Sequence, residues 1–400
     1  MAAMRPEPVY RIPFSGRAHR YTPEEVALVA RVMQEADPLT QGRHLQEFQA
    51  AFASYIGAPH CFATMNATCA LELAAQLCDL KPGDQVIVPA HTFTSSAYPF
   101  AKHGGSLVWA DCDRDTRVVT PRMIADKLTT RTRVVVVPHL YGYAAEMPEI
   151  MELARAHDLI VVEDVAQALG AVVAGQKAGT FGDLGVFSFH SHKNVTTLGE
   201  GGMLVVRDPQ KAPLVPLLRH NGHCPCPAER PNYWTPAMGD VDLPRPGMWP
   251  SNYCLGEVES ALGVALLARI DAMNADKRAR AMGFIDGLAD YPELVFHRVD
   301  SARHTYHLLA AWFDETGRPG LRDQFMERMA YDKLIKCVVQ YCPLYRYPLY
   351  AKNGLGQADC PGADDFFDHM VSFPFQHWLS DEDLGYMLAS TRQVLEDLRR

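Results

Sequence analysis

The sequence predicts an α/β fold with a mainly parallel central sheet, joined to a smaller α+β unit at its C-terminal side. Three observations carry that expectation. Between His60 and Asp208 short β-branched runs recur, and each is continuously apolar, as strands covered on both faces require. Longer segments with helical patterning separate several of these runs. After Pro213 this alternation stops, and the rest of the chain is less regular.

Taken in order, the strand candidates are Gln85–Pro89, Leu107–Ala110, Arg133–Val137, Leu159–Glu163, Gly185–Phe189 and Met203–Val206. The helix candidates among them are Ala67–Leu77, Thr94–Lys102, Pro121–Leu128 and Met147–His157. Pro213 to Pro250 is rich in Pro and holds Trp234 and Trp249, so it is expected to be irregular; a loop of that length is usually functional or disordered. One helix is expected from about Leu255 to Arg280, with Leu262, Leu266 and Ile270 on one face. Two domains follow. Residues 1–270 form the large one, with an N-terminal segment and the long loop near 221–250, and residues 271–400 form the small one.

Bulk composition narrows the function. A formal net charge of −9 argues against a nucleic-acid partner, which needs a basic footprint. The 10 Cys are scattered through apolar or helical contexts, which suits a reduced, intracellular protein. His223-Cys224-Pro225-Cys226 has the composition of a metal site but not the usual zinc spacing, and it is read as loop. Met1 to Ser15 lacks the apolar core of a signal peptide. No apolar stretch approaches the length of a membrane span, which leaves the cytoplasm as the default location.

Ligands of parallel sheets bind beyond the carboxyl ends of the strands, so the residues just after each run carry the functional reading. Asp164 ends the run Val161-Val162-Glu163-Asp164, where a carboxylate is costly unless partnered; capping the next turn is the structural alternative. Lys193 follows Phe187-Ser188-Phe189 and precedes Leu198-Gly199-Glu200-Gly201-Gly202. Two apolar strands and a Gly cluster bracket it, which is unusual for a surface lysine. Asn66-Ala67-Thr68 opens a helix after a strand end, a place where free N–H groups attract anions, or where Asn66 or Thr68 simply caps the helix. Phe93 follows another strand and, on these residues alone, reads as an ordinary core aromatic before it reads as a cofactor platform. His190 and His192 flank Lys193 and are expected to pack or face solvent.

Together, in this order and spacing, these segments resemble the DegT/DnrJ/EryC1/StrS family of sugar aminotransferases, a branch of the fold-type-I, aspartate-aminotransferase-like pyridoxal-phosphate enzymes. The resemblance runs from about Tyr21 to about Leu398 and includes His139-Leu140-Tyr141-Gly142, Arg219-His220-Asn221-Gly222 and Ser251-Asn252-Tyr253. It implies pyridoxal 5'-phosphate held by Lys193 as a Schiff base. Asp164 would face the pyridine nitrogen, Gln167 the ring's phenolic oxygen, and Phe93 a ring face. Ser188 and the helix start at Ala67 and Thr68 would hold the phosphate. Asn252 would reach that phosphate from the other subunit of a homodimer. No metal is implied. The reaction would be a ping-pong transamination from glutamate or a similar donor to a keto-sugar, typically a nucleotide-linked keto-deoxysugar.

Two features depart from the family pattern. Cys254 stands where many relatives carry Arg, and the loop from Gly222 to Pro250 is longer by roughly ten residues, judged against ordinary loop lengths. Two other functions share the fold. Relatives that act as dehydratases with pyridoxamine phosphate have His in place of the lysine, whereas Lys193 is present. A binding or regulatory protein has no need of a nucleophilic lysine.

Overall fold

The computed structural model describes residues 6–18, 20–224, 239–315 and 317–400. Its centre is a seven-stranded sheet: β1 (Cys61–Thr64), β2 (Gln85–Pro89), β3 (Ser106–Ala110), β4 (Thr132–Pro138), β5 (Ile160–Asp164), β6 (Leu184–Ser188) and β7 (Gly202–Val206). The spatial order is β1-β7-β6-β5-β4-β2-β3. Only β7 runs antiparallel to its neighbours; β6, β5, β4, β2 and β3 pair parallel. Val134, Val136, Val161 and Val162 are wholly buried, as expected for strands with helices on both faces. The fold class read from the sequence therefore holds, with most strand bounds within a residue.

Helix bounds agree less evenly. Ala67–Leu77 is a helix as expected, here α3, but Thr94–Lys102 is a short 3₁₀ turn at Thr94–Ser96 followed by α4 at Tyr98–Lys102. Two N-terminal helices had no counterpart in the sequence reading: α1 (Pro23–Glu35) and α2 (Arg43–Ile56). The first starts with a capping box, in which Thr22 Oγ1 accepts from Glu25 N–H and Glu25 returns the bond to Thr22 N–H. The second is capped from afar. The Glu257 carboxylate accepts from the N–H groups of Gly42, His44 and Leu45 at 2.8, 2.7 and 3.2 Å. The single helix expected from Leu255 to Arg280 is two helices, Glu257–Leu267 and Ile270–Asp286, that break at Ala268–Arg269. At the break Arg269 pairs with Glu25 at 2.9 Å.

The region expected to be irregular contains a helix at Leu214–Arg219 and an antiparallel pairing of His223–Cys224 with Asp240–Val241. Trp234, Pro225 and Cys226 lie outside the described residues. Trp249 is 77% exposed and so is no core residue. The nine described cysteines are free. No helix among the described residues is long and apolar enough to cross a membrane.

A separate core lies around β8 (Leu294–Phe296), β9 (Leu309–Phe313) and β10 (Met370–Phe373), an antiparallel sheet. It gathers Phe284, Phe313, Phe325, Phe373 and Val394, and also Ile12 from the far N-terminal side. Helix Ile270–Asp286 serves both cores, with Ile270 in the large one and Ala281 to Ile285 in the small one. The segment Arg11–Ala18 joins the two. Arg11 pairs with Glu382 and Asp383, whereas Ala18 N–H donates to the Ser191 carbonyl at 2.8 Å.

Glu163, fully buried on β5, fixes the next loop. Its carboxylate accepts from Gly179, Phe181 and Gly182 N–H, each at 2.7 Å, and lies 3.0 Å from His139 Nε2. Glu163→Ala would leave those donors buried without an acceptor. It should lower the unfolding free energy by roughly 3 kcal/mol or more, since each such group costs about 1 to 3 kcal/mol. Urea denaturation of the two proteins side by side checks this.

Candidate active site

One cavity of about 500 Å³ opens at the carboxyl ends of the strands, where parallel sheets place their ligands. Every sequence-predicted site residue but one lines it: Ala67, Thr68, Phe93, Asp164, Gln167, Ser188 and Lys193. The strand ends explain this convergence. Phe93 follows β2, Asp164 ends β5 with Gln167 in the turn beyond it, Ser188 ends β6, and Lys193 lies in the loop that returns to β7. Asn252 does not line the cavity and is exposed; its backbone bridges His220.

Burial among protein atoms pulls the Lys193 amine down to about 8, against the attraction of Asp164. No carboxylate among the described residues forms an ion pair with it. Such an amine is readily freed of its proton, which a nucleophilic lysine requires. Asp164 is 7% exposed. Its Oδ2 accepts from Ser96 Oγ at 2.7 Å and its Oδ1 from Ala166 N–H at 3.1 Å, so it caps the following turn and also faces the cavity. The Gln167 amide is oriented from one side, because Oε1 accepts from Tyr141 N–H at 2.8 Å. That leaves Nε2 as the donor, 3.3 Å from the Tyr341 hydroxyl. Phe93 is 50% exposed, with its ring edge-on to Tyr341 at 6.0 Å.

At the other side helix α3 begins. Asn66 Oδ1 takes the Cys69 N–H at 2.9 Å, so Asn66 is the capping residue. Ala67 and Thr68, in the first turn, have N–H groups without intrahelical acceptors. Gly202 on β7 presses on this turn: a Cβ there would lie 2.5–2.7 Å from backbone atoms of Asn66 and Ala67. His190 and His192, expected to pack or face solvent, line the cavity beside Lys193, His190 half-buried and His192 exposed. Their rings meet edge to face at 5.0 Å.

Several residues of the site have no signal in the sequence. Ser96, behind the cavity wall, braces Asp164. From the small-core side come His307, Gln340, Tyr341, Gln376 and, on helix Ile270–Asp286, Lys277. Lys277 stands between Asp276 and Arg278, both ordinary surface residues, and nothing in that run marks its burial. No group of three or more His, Cys, Asp or Glu placed to hold a metal occurs among the described residues.

These groups fit pyridoxal phosphate. A desolvated lysine without an anionic partner suits covalent attachment, a buried carboxylate suits a ring nitrogen, and a helix start with free N–H groups beside Ser188 suits a phosphate.

Comparison with known proteins agrees with this geometry. Residues 20–392 match the DegT/DnrJ/EryC1/StrS aminotransferase family. The chain is 34% identical to GDP-perosamine synthase of Caulobacter vibrioides over 88% of this chain and 91% of that protein. It is 29% identical to dTDP-3-amino-3,4,6-trideoxy-alpha-D-glucose transaminase of Streptomyces venezuelae over 91% of both. An aminotransferase structure from Psychrobacter cryohalolentis superposes with a TM-score of 0.86 at 27% identity, covering 97% of this chain and all (100%) of that one. The chain belongs to the DegT/DnrJ/EryC1/StrS aminotransferase family and is a pyridoxal-phosphate-dependent aminotransferase.

Proposed function

We propose that this enzyme transfers an amino group from an amino acid, glutamate or a close equivalent, to a keto-sugar linked to a nucleotide. The observation that carries the reading is the convergence of Lys193, Asp164 and the α3 start on one cavity. The sugar acceptors named for the relatives supply the substrate class.

Bound pyridoxal phosphate supplies an electron sink for negative charge that develops on the reacting carbon. The chain's own groups do the rest. Lys193 would hold the cofactor covalently at rest; once freed, its Nζ would take the proton from the carbon that bears the donor nitrogen and return one to the acceptor carbon. Asp164, oriented by Ser96 and Ala166 N–H, would keep the ring nitrogen protonated. Gln167 Nε2 would serve the ring's phenolic oxygen, and Phe93 a ring face. Ser188 and the N–H groups of Ala67 and Thr68 would hold the phosphate, whose charge the helix start favours.

Asn252 completes the phosphate site from a second copy of the chain in a homodimer. Its exposure and its absence from the cavity wall of its own protomer support that assignment. We place the enzyme in the cytoplasm.

The test has two stages. Holoenzyme given L-glutamate without acceptor should release 2-oxoglutarate in stoichiometric amount with cofactor. Addition of a nucleotide-linked keto-deoxysugar should then give the amino sugar, read by mass spectrometry. Amination of cyclitol ketones alone would move the acceptor to that class. Gly202→Val is expected to push the α3 start out of place. Cofactor affinity should fall by about tenfold or more, some 1.4 kcal/mol, as measured by equilibrium dialysis.

A further inference from the structure

Lys193 is not the only lysine in the cavity wall. Lys277 is 5% exposed, and it has no use in the chemistry above. Its Nζ donates to Asn194 Oδ1 at 3.1 Å and to the His307 carbonyl at 3.3 Å. Both acceptors are neutral. No carboxylate among the described residues forms an ion pair with it, although a buried cation ordinarily requires one. Burial pulls its amine down to about 7, and beyond these two bonds it meets, among the described residues, only the Phe375 ring, 5.6 Å away; an anion beside it would hold the ammonium form, whose three protons leave one for that anion.

Two neighbours in the same wall are also incomplete. His307 Nδ1 and Gln376 Oε1 are buried and have no hydrogen-bond partner among the described residues, and both residues line the cavity. Buried polar atoms are nearly always satisfied in a folded protein. Three incomplete groups in the cavity lining, one of them an amine that an anion would charge, mark where a ligand completes the bonding. The carboxylates of the lining, Asp164 and Glu200, are not near enough to Lys277 to pair with it.

We propose that Lys277, with His307 and Gln376, forms the subsite for the α-carboxylate of the amino donor. The inference rests on the reading that an amino acid supplies the nitrogen. Every such donor carries an α-carboxylate, whichever side chain it has. Lys193 is committed to the cofactor, which leaves Lys277 as the second lysine of the described lining to receive that charge. His307, as a neutral imidazole, donates from Nδ1 to one carboxylate oxygen. The Gln376 amide can turn its NH2 toward the other, since its two ends have nearly the same shape. Asn194 ties the subsite to the lysine loop: its Nδ2 donates to Asn274 Oδ1 at 2.9 Å while its Oδ1 holds Lys277.

Three holoenzymes decide the matter: wild type, Lys277→Met and Gln376→Leu. Maleate, an unreactive dicarboxylate, is titrated calorimetrically into each, and the two half-reactions are followed separately in single turnover. Lys277→Met should weaken maleate by about tenfold or more, as loss of a charge-assisted bond implies. It should raise the half-saturating glutamate concentration equally and leave the acceptor half-reaction within about threefold. Should Lys277→Met fail to fold with cofactor, Gln376→Leu carries the test with an expected weakening of about threefold. Unchanged maleate affinity overturns the proposal. Equal loss in both half-reactions makes Lys277 a positioning residue for the lysine loop and overturns it too. Loss confined to the acceptor assigns the cation to the sugar nucleotide instead. A wild type that binds maleate through Lys277 but takes nitrogen from no amino acid would sink the donor reading and keep only an anion site.

Discussion

Lys193→Ala is expected to reduce turnover by about ten-thousand-fold or more, since the variant loses both the nucleophile and the proton carrier. The fold should survive. The side chain forms no ion pair among the described residues, and its neighbours Asn194 and Ser191 keep their bonds to Asn274 and Ala18. Cofactor should still enter, held by Ser188, the α3 start and Asp164, but without a covalent link. Borohydride reduction followed by peptide mass spectrometry separates the cases. In wild type the added mass belongs on the peptide containing Lys193, and in the variant no peptide should gain it. A variant still labelled, on Lys277 for instance, would show that the attachment site had been misassigned.

Asp164→Asn should slow both half-reactions by about a thousand-fold. An amide does not hold a proton on the ring nitrogen, and the electron sink then fails. The structural cost should be small by comparison, about 1 kcal/mol for one weakened bond. Ser96 can still donate to the Asn carbonyl, so the bond lost is one of two that Asp164 makes. Single-turnover amination by L-glutamate reads the rate, and the shift in thermal midpoint reads the fold. A slow variant with unaltered melting places Asp164 in the chemistry. A melting change as large as that of Glu163→Ala, with little loss of rate, would make it a turn cap and no more.

The sequence exposed the sheet and its strand-end residues for one reason: in a doubly covered parallel sheet, burial and chemistry are both local in the chain. Val161 to Asp164 shows strand, end and carboxylate within four letters. Lys193 is flanked by its own strands. Much of the rest is fixed by partners far away in sequence. Helix α2 has Gly42 at its start and no side-chain cap of its own, because Glu257 supplies the acceptor across 215 residues. The break at Ala268–Arg269 has no Gly or Pro to announce it, and the Glu25 pairing sits 244 residues away. His190 and His192 line the cavity from the turn that carries Lys193, and no periodicity in a turn tells which way a side chain faces. Lys277, His307 and Gln376 come to the cavity only when the small core docks, and no spacing within the chain records that event. By contrast, the capping box at Thr22 and Glu25 was present in the sequence as Thr-x-x-Glu with Pro23 between them, and it passed unread.

The segment Arg11–Ala18 has a consequence for the order in which the protein is made. Ile12 is wholly buried in the small core, and Arg11 meets Asp383 across 372 residues. On a ribosome this strap emerges long before its partners, which lie up to 372 residues further along the chain. Phe14 and Ser15, which form part of the cavity wall, must therefore wait unplaced while the large sheet folds, since domains fold in order of synthesis. The cavity wall should thus be complete only after helix Asp381–Arg399 has been made. A half-made chain holds the lysine, the aspartate and the phosphate cradle, yet one side of the chamber around them is still missing.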